Sequence, residues 1–246
     1  EDPRVTPGVR RSLSASVLEG HRFALVPHRG ALTLTVGLPT MGDGPTPYQE
    51  LLRAAARQSS EPQPDCAKVE ATLHQAVALE PDNPLAYHMI AVTRGRLNDH
   101  VGAAEAFVQA SDRYPRPSAE WAETAAAAFV RLTRKESAAA PKPHWWTDEG
   151  LLEASRQAVE AAPESAGAWQ MRATVLGCFE ESWPTQPRDA AQMDEAGKAW
   201  QRTASLTMDP AEKSRCVANG VLCLQYAQGR GAEPLPTDVR TVPSTR

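Results

Sequence analysis

The chain has 246 residues, 41% hydrophobic, 23% charged and 6% aromatic, enough for one or two domains with a buried core and too long for a disulfide-stapled miniprotein. Its 26 basic and 30 acidic side chains leave a net charge of -4, so nothing general draws it to phosphate backbones, and nucleic acid is not an expected partner. No run approaches the roughly 20 consecutive apolar residues of a membrane-spanning helix, no charged-then-apolar leader pattern is present, and 21 prolines impose short elements with hard stops.

Residues 1–47 differ in character from the remainder of the chain. Phe23-Ala-Leu-Val26, Pro27-His-Arg-Gly30 and Leu32-Thr-Leu-Thr-Val36 predict a β-hairpin over 22–36, with 27–30 as its turn. An isolated hairpin is marginal in water, so it is expected to dock on the rest of the chain or on another one. Gly42-Asp43-Gly44 lacks the following helix and the third glycine or lysine of a phosphate loop, and reads as a plain turn. Residues 229–246 read as an extended tail; the first ten residues and residues 231–246 are too rich in Pro, Thr and Arg to build a core and are expected to be ordered only by partners. Because the sequence opens on Glu1 rather than Met, it is read as a fragment or a processed product, with a plastid or mitochondrion as the expected compartment after removal of a targeting segment.

From residue 48 onward the chain repeats. Prolines close helix-like runs at Pro81, Pro115, Pro163 and Pro210, the first two 34 residues apart. Six residues after each of the first three stands a large aromatic: Tyr87, Trp121 and Trp169. Helices are predicted at about 48–59 and 66–79, the second carrying Val69, Leu73 and Ala76 at helical spacing. Between Pro81 and Pro115, Tyr87, Ile90 and Ala91 fall on one helix and Ala103, Phe107 and Ala110 on another, with Asn98-Asp99 as the turn. The next two units are longer by 14 and 13 residues, and the excess falls between the two helices of each pair, at 135–149 and 180–192. A last helix over about 211–228 closes the series.

The runs YHMIA, AAEAFVQA and YP at this spacing resemble the tetratricopeptide repeat family, over about residues 48–228. The resemblance implies an all-α right-handed superhelix of antiparallel helix pairs, here four units plus a capping helix, with the small β-hairpin extension in front. It departs at Arg94, where the family usually has an aromatic; the aliphatic stem is expected to pack and the head to reach water. The family binds peptides along a concave groove lined by the first helix of each pair. Carried over, those positions are Leu85, His88, Val92 and Arg96; Ala119, Ala122, Ala126 and Phe129; and Gly167, Gln170, Thr174 and Cys178. Members that grip acidic C-termini use Lys, Asn and Arg there; His88, Val92 and Ala122 stand in their place, which argues against such a clamp. The small, apolar lining suits an apolar helix or strand, the chain's own hairpin included, or simple self-packing.

Trp145, Trp146 and Trp183 lie in the Pro-containing insertions, where the repeat needs only a short turn. Exposed indoles are costly, so they are expected either to form one docking edge for another subunit or to fold back and cap their own repeats. Cys66, Cys178, Cys216 and Cys223 show no CxxC or Cys/His pairing, and no metal is expected. Cys216 and Cys223, seven apart, share a helical face and read as core thiols. His21, His28, His74, His88, His100 and His144 are scattered, without the partners a ligand set or catalytic base needs. No GxSxG, HExxH or paired-carboxylate motif occurs, so neither an enzyme nor a cofactor is expected.

The expected role is a non-catalytic protein-interaction scaffold, a peripheral subunit of a larger assembly. Its partners would be other subunits or an apolar peptide, with peripheral association to a membrane complex left open. The competing readings are a soluble peptide receptor, such as a co-chaperone or import adaptor, and the targeting domain of a larger enzyme.

Overall fold

The computed structural model describes the backbone of residues 16–18, 21–28, 31–36, 44–177, 183 and 185–229, and side chains from residue 44 onward within those spans. The N-terminal and C-terminal segments expected to depend on partners, and Cys178, lie outside the described residues. Strands β1 (Ser16–Leu18), β2 (His21–His28) and β3 (Ala31–Val36) pair antiparallel in the order β1-β2-β3. Pro27 and His28, read as turn residues, instead extend β2 opposite Leu32 and Ala31. β1 carries no clear alternation in its sequence and was not foreseen.

Nine helices succeed them among the described residues: α1 (Pro47–Ser59), α2 (Cys66–Leu79), α3 (Pro84–Arg96), α4 (His100–Ser111), α5 (Ala119–Leu132), α6 (Asp148–Ala161), α7 (Ala166–Gly177), α8 (Ala190–Leu206) and α9 (Pro210–Ala227). Their starts are written locally. Each first turn has a side-chain acceptor on an unpaired backbone N–H: Thr46, Asp65, Asn83, Asp99, Ser118, Thr147, Asp189 and Asp209 at the N-caps, and Ser165 to the Ala168 N–H of α7. Such a cap stabilises a helix by about 1 kcal/mol. Thr46 and Asp189 are completed by Gln49 and Gln192 as reciprocal capping boxes. Pro47, Pro84 and Pro210 open their helices, where the missing N–H costs nothing.

Every helix packs against the next in sequence, and α5 also touches α7, the arrangement of a helical repeat. The core falls into three blocks. Tyr48, Leu52, Leu73, Ile90 and Phe107 lie within the first, built by α1–α4 with Ala128 of α5. The second gathers α5, α6, α7 and both insertions, and the third joins α7, α8 and α9. Ala91 and Ala103 are fully buried, as close helix approach requires. Cys216 and Cys223 are both buried on the inner face of α9. No described helix is long and apolar enough to cross a membrane.

The aromatic register has a hydrogen-bonded basis. The Tyr87 hydroxyl donates to the Pro81 carbonyl at 3.0 Å, and the Trp169 indole N–H donates to the Pro163 carbonyl at 2.8 Å, each spanning six residues. Arg113 and Arg116 lie over the Tyr87 and Trp121 rings at 4.1 and 4.5 Å. Trp121 is buried, whereas Trp169 is only half-buried and packs at the edge of the third block. Arg94 differs from expectation: its stem lies across Gly102, but its head pairs with Glu70 of α2 at 2.6 Å instead of ending in water. Both side chains are half-buried there, and a charge-assisted bond across two helices satisfies both heads.

Candidate functional site

The most elaborated region of the molecule lies where the two insertions meet α5. α5 ends on Phe129 and Leu132, both 1% exposed. Around Phe129 stand Trp146 and Trp183, each with its ring centroid 5.7 Å away, tilted by 40° and 59°. Trp146 meets Trp183 edge-on at 5.8 Å and Trp145 at 5.8 Å. Tilted and edge-to-face pairs of this kind contribute about 0.5–1.5 kcal/mol each beyond the area they bury. Trp145, Trp146 and Trp183 are only 5%, 8% and 4% exposed. They are neighbours, as the equivalence of the two insertions implies, but the exposed docking edge is corrected: the rings close on Phe129 and on one another.

Polar contacts hold this arrangement. The Arg188 guanidinium grips the Asp148 carboxylate with both arms, at 2.8 and 2.5 Å, and one arm also reaches the Val175 carbonyl at 3.2 Å. The pair ties the second insertion to the first residue of α6 and to α7, with side chains 3% and 10% exposed. Arg188, with lesser help from the Gln186 N–H, holds the Asp148 carboxyl below its usual range. Lys142 donates to the Leu132 carbonyl at 3.0 Å and lies 5.1 Å over the Trp146 ring, where burial pushes its pKa down. Ser137, in a short 3-10 turn over Lys135–Ser137, donates to the His100 carbonyl at 3.1 Å. Arg188, Asp148 and Lys142 were not singled out from sequence, because a charged residue in a loop ordinarily belongs to solvent.

The expected groove residues divide into two groups. Leu85, Val92, Ala119, Gly167 and Gln170 are half-buried and Arg96 is exposed, its guanidinium donating to the Ser59 carbonyl and hydroxyl at 3.0 and 2.6 Å. His88, Ala122, Ala126, Phe129 and Thr174 are buried. As contact surface these five are corrected, because neighbouring helices and the insertions cover them. The Nδ1 of His88 meets the Thr124 hydroxyl of α5 at 3.2 Å, and its ring stands edge-on to Phe107 at 5.3 Å. His88 thus joins α3, α4 and α5 instead of facing a ligand.

Burial holds the His88 pKa down at about 4. Its unfolded-state counterpart takes up a proton below about 6.5, so the folded state keeps its full stability above that pH and loses it as the pH falls toward 4. By pH 5 the loss amounts to about 2 kcal/mol. Denaturant melts at pH 7.5 and pH 5 are expected to show this decrement in the parent chain and not in His88→Leu; an equal decrement in both would overturn the assignment.

Among the described residues no three His, Cys, Asp or Glu side chains are placed to share a metal ion. No protein-family model matches the chain, and no curated protein is similar to it. The described residues therefore define a class by packing alone: a run of helices stacked in sequence order, with a polar-latched aromatic junction in its second half.

Proposed function

We propose that this chain is a non-catalytic interaction scaffold, a peripheral subunit of a larger protein assembly, built as a tetratricopeptide-like right-handed superhelix. The observation that carries the reading is the shared register. Aromatics six residues after a helix-closing proline bond back to that proline's carbonyl in two separate units, and each helix packs on its successor. Such repeats present long preformed surfaces and few deep clefts.

The interior supports this role more than that of a peptide receptor. His88, Ala122, Ala126, Phe129 and Thr174 are covered, so a peptide lying along the first helices would meet open surface only in part, at Leu85, Val92 and Arg96 of α3, Ala119 of α5, and Gly167 and Gln170 of α7. The buried Arg188–Asp148 pair ties the second insertion to α6 and α7, an arrangement suited to lasting contacts. Size exclusion of a native extract, followed by affinity purification through a tagged chain, tests the reading. A subunit elutes at the size of its complex with partners in fixed ratio. Elution mainly as the free chain would support the receptor instead.

A further inference from the structure

The end of α5 carries a guanidinium that the chain itself leaves unanswered. Arg131, in the last turn of α5, is half-buried and lies against α3. Gly95 makes room for it there: a Cβ at that position would stand 2.9, 3.4 and 3.7 Å from the Nη2, Cζ and Nη1 atoms of Arg131. Any side chain at 95 would displace the head, so this close approach needs glycine. Elsewhere a guanidinium closed in between elements meets a carboxylate, as Arg94 meets Glu70, Arg172 meets Glu195 and Arg188 meets Asp148. Arg131 meets none. Among the described residues no carboxylate pairs with it and no oxygen accepts from its N–H groups. Burial, and then the neighbouring charge of Arg134, push its pKa down.

Capping of α5 does not account for these two cations, because other donors already hold the last carbonyls of the helix. The Thr133 N–H bonds Phe129 at 3.0 Å and its hydroxyl bonds Val130 at 3.1 Å; the Arg134 N–H bonds Arg131 at 3.1 Å and the Lys142 ammonium bonds Leu132 at 3.0 Å. A partly desolvated cation beside a like charge is unfavourable until an anion completes the cluster. We infer that Arg131 and Arg134, with Gly95 as the floor, form a binding site for a dianionic phosphoryl group. The planar guanidinium fork presents parallel donors spaced for two oxygens of a phosphate. Two adjacent cations match the charge of a phosphate monoester near neutral pH, whereas a carboxylate would leave one of them unanswered. Arg134 is exposed, so the site is open to solvent on its side. A free phosphate compound and a phosphorylated side chain of another protein present the same group. The inference goes beyond the proposed role in an assembly and does not depend on it.

The arginine side-chain Nε–H resonances of the whole chain, followed by NMR at pH 7.5, test the site directly. The resonance that Arg131→Gln removes should shift saturably with inorganic phosphate, with a midpoint of about 0.1–10 mM, the span that a few charge-assisted hydrogen bonds give a small ligand. Sodium chloride of equal ionic strength should not reproduce the shift. Arg134→Gln and Gly95→Ala should each raise the midpoint by about tenfold. Gly95→Ala places a good helix former in α3, so helical circular dichroism should not fall while the Arg131 head is displaced. N-acetyl phosphoserine amide serves as the second probe. If it binds at least as well as inorganic phosphate, a protein-borne phosphoryl group is the ligand; if only inorganic phosphate binds, a free phosphate is, and either result upholds the site. A resonance that does not move, an equal response to acetate, or a Gly95→Ala chain that binds phosphate like the parent overturns the inference. Should a variant fail to fold, the parent's response to phosphate against acetate and chloride decides alone.

Discussion

Trp146→Ala is expected to destabilise the chain by about 3–5 kcal/mol, the range for deleting a large buried aromatic. Trp146 touches Phe129, Trp145 and Trp183 at once, so its removal opens a cavity on three sides and leaves the first insertion without its anchor. Lys142 also loses the ring beneath its ammonium group. In a stack of helices held by nearest neighbours, damage between α5 and α6 passes to both flanks. The midpoint of urea unfolding should therefore fall for the whole helical signal. A shift under ~1 kcal/mol would mean that the insertion relaxes into the space, and a loss of tryptophan burial without a loss of helicity would locate the damage in the insertion alone.

Arg188→Leu is expected to cost about 3 kcal/mol, the low end of the range for stranding one member of a buried ion pair, because Asp148 retains a little access to water. Asp148→Asn in the same chain should recover part of that loss, since the stranded charge is then gone. The pH dependence has a definite sign. Arg188 holds the Asp148 carboxyl below its ordinary value, so the stabilisation is present above about 3.9 and disappears as the pH falls through the lower folded value. Parent and Arg188→Leu should thus converge in strong acid and stay apart at pH 6. Tryptophan emission is expected to report the same event, because Trp183 lies beside the Asp148 carboxylate. Equal stability of the two chains at pH 6 would show that the latch is incidental.

Helix limits were legible because their signals are local. Pro81, Pro163 and Pro210 end or open helices through a ring that fixes φ and removes an N–H; the caps Asp65, Asn83, Asp99 and Asp209 are equally local but were not singled out as caps from the sequence. The two-helix spacing, the places of the insertions and the shared face of Cys216 and Cys223 were read in the same way. The site was less legible. Five of the eleven described groove residues are buried, because a helical position says which residues share a face and not what later covers it.

Sequence by itself determined a chain of short helices, repeating with an aromatic six residues past the first three closing prolines, since prolines and helical periodicity act within a few residues. Only the tertiary structure decided the fate of Trp145, Trp146 and Trp183. Exposed and buried indoles look the same in a loop, and their burial rests on Phe129, which lies 17 residues before Trp146 and 54 before Trp183. It also decided that Arg94 pairs with Glu70, that Arg188 crosses to Asp148 and that His88 meets Thr124. Each of these joins groups 24 to 40 residues apart, and a polar side chain settles on such a partner only once packing has excluded water from both.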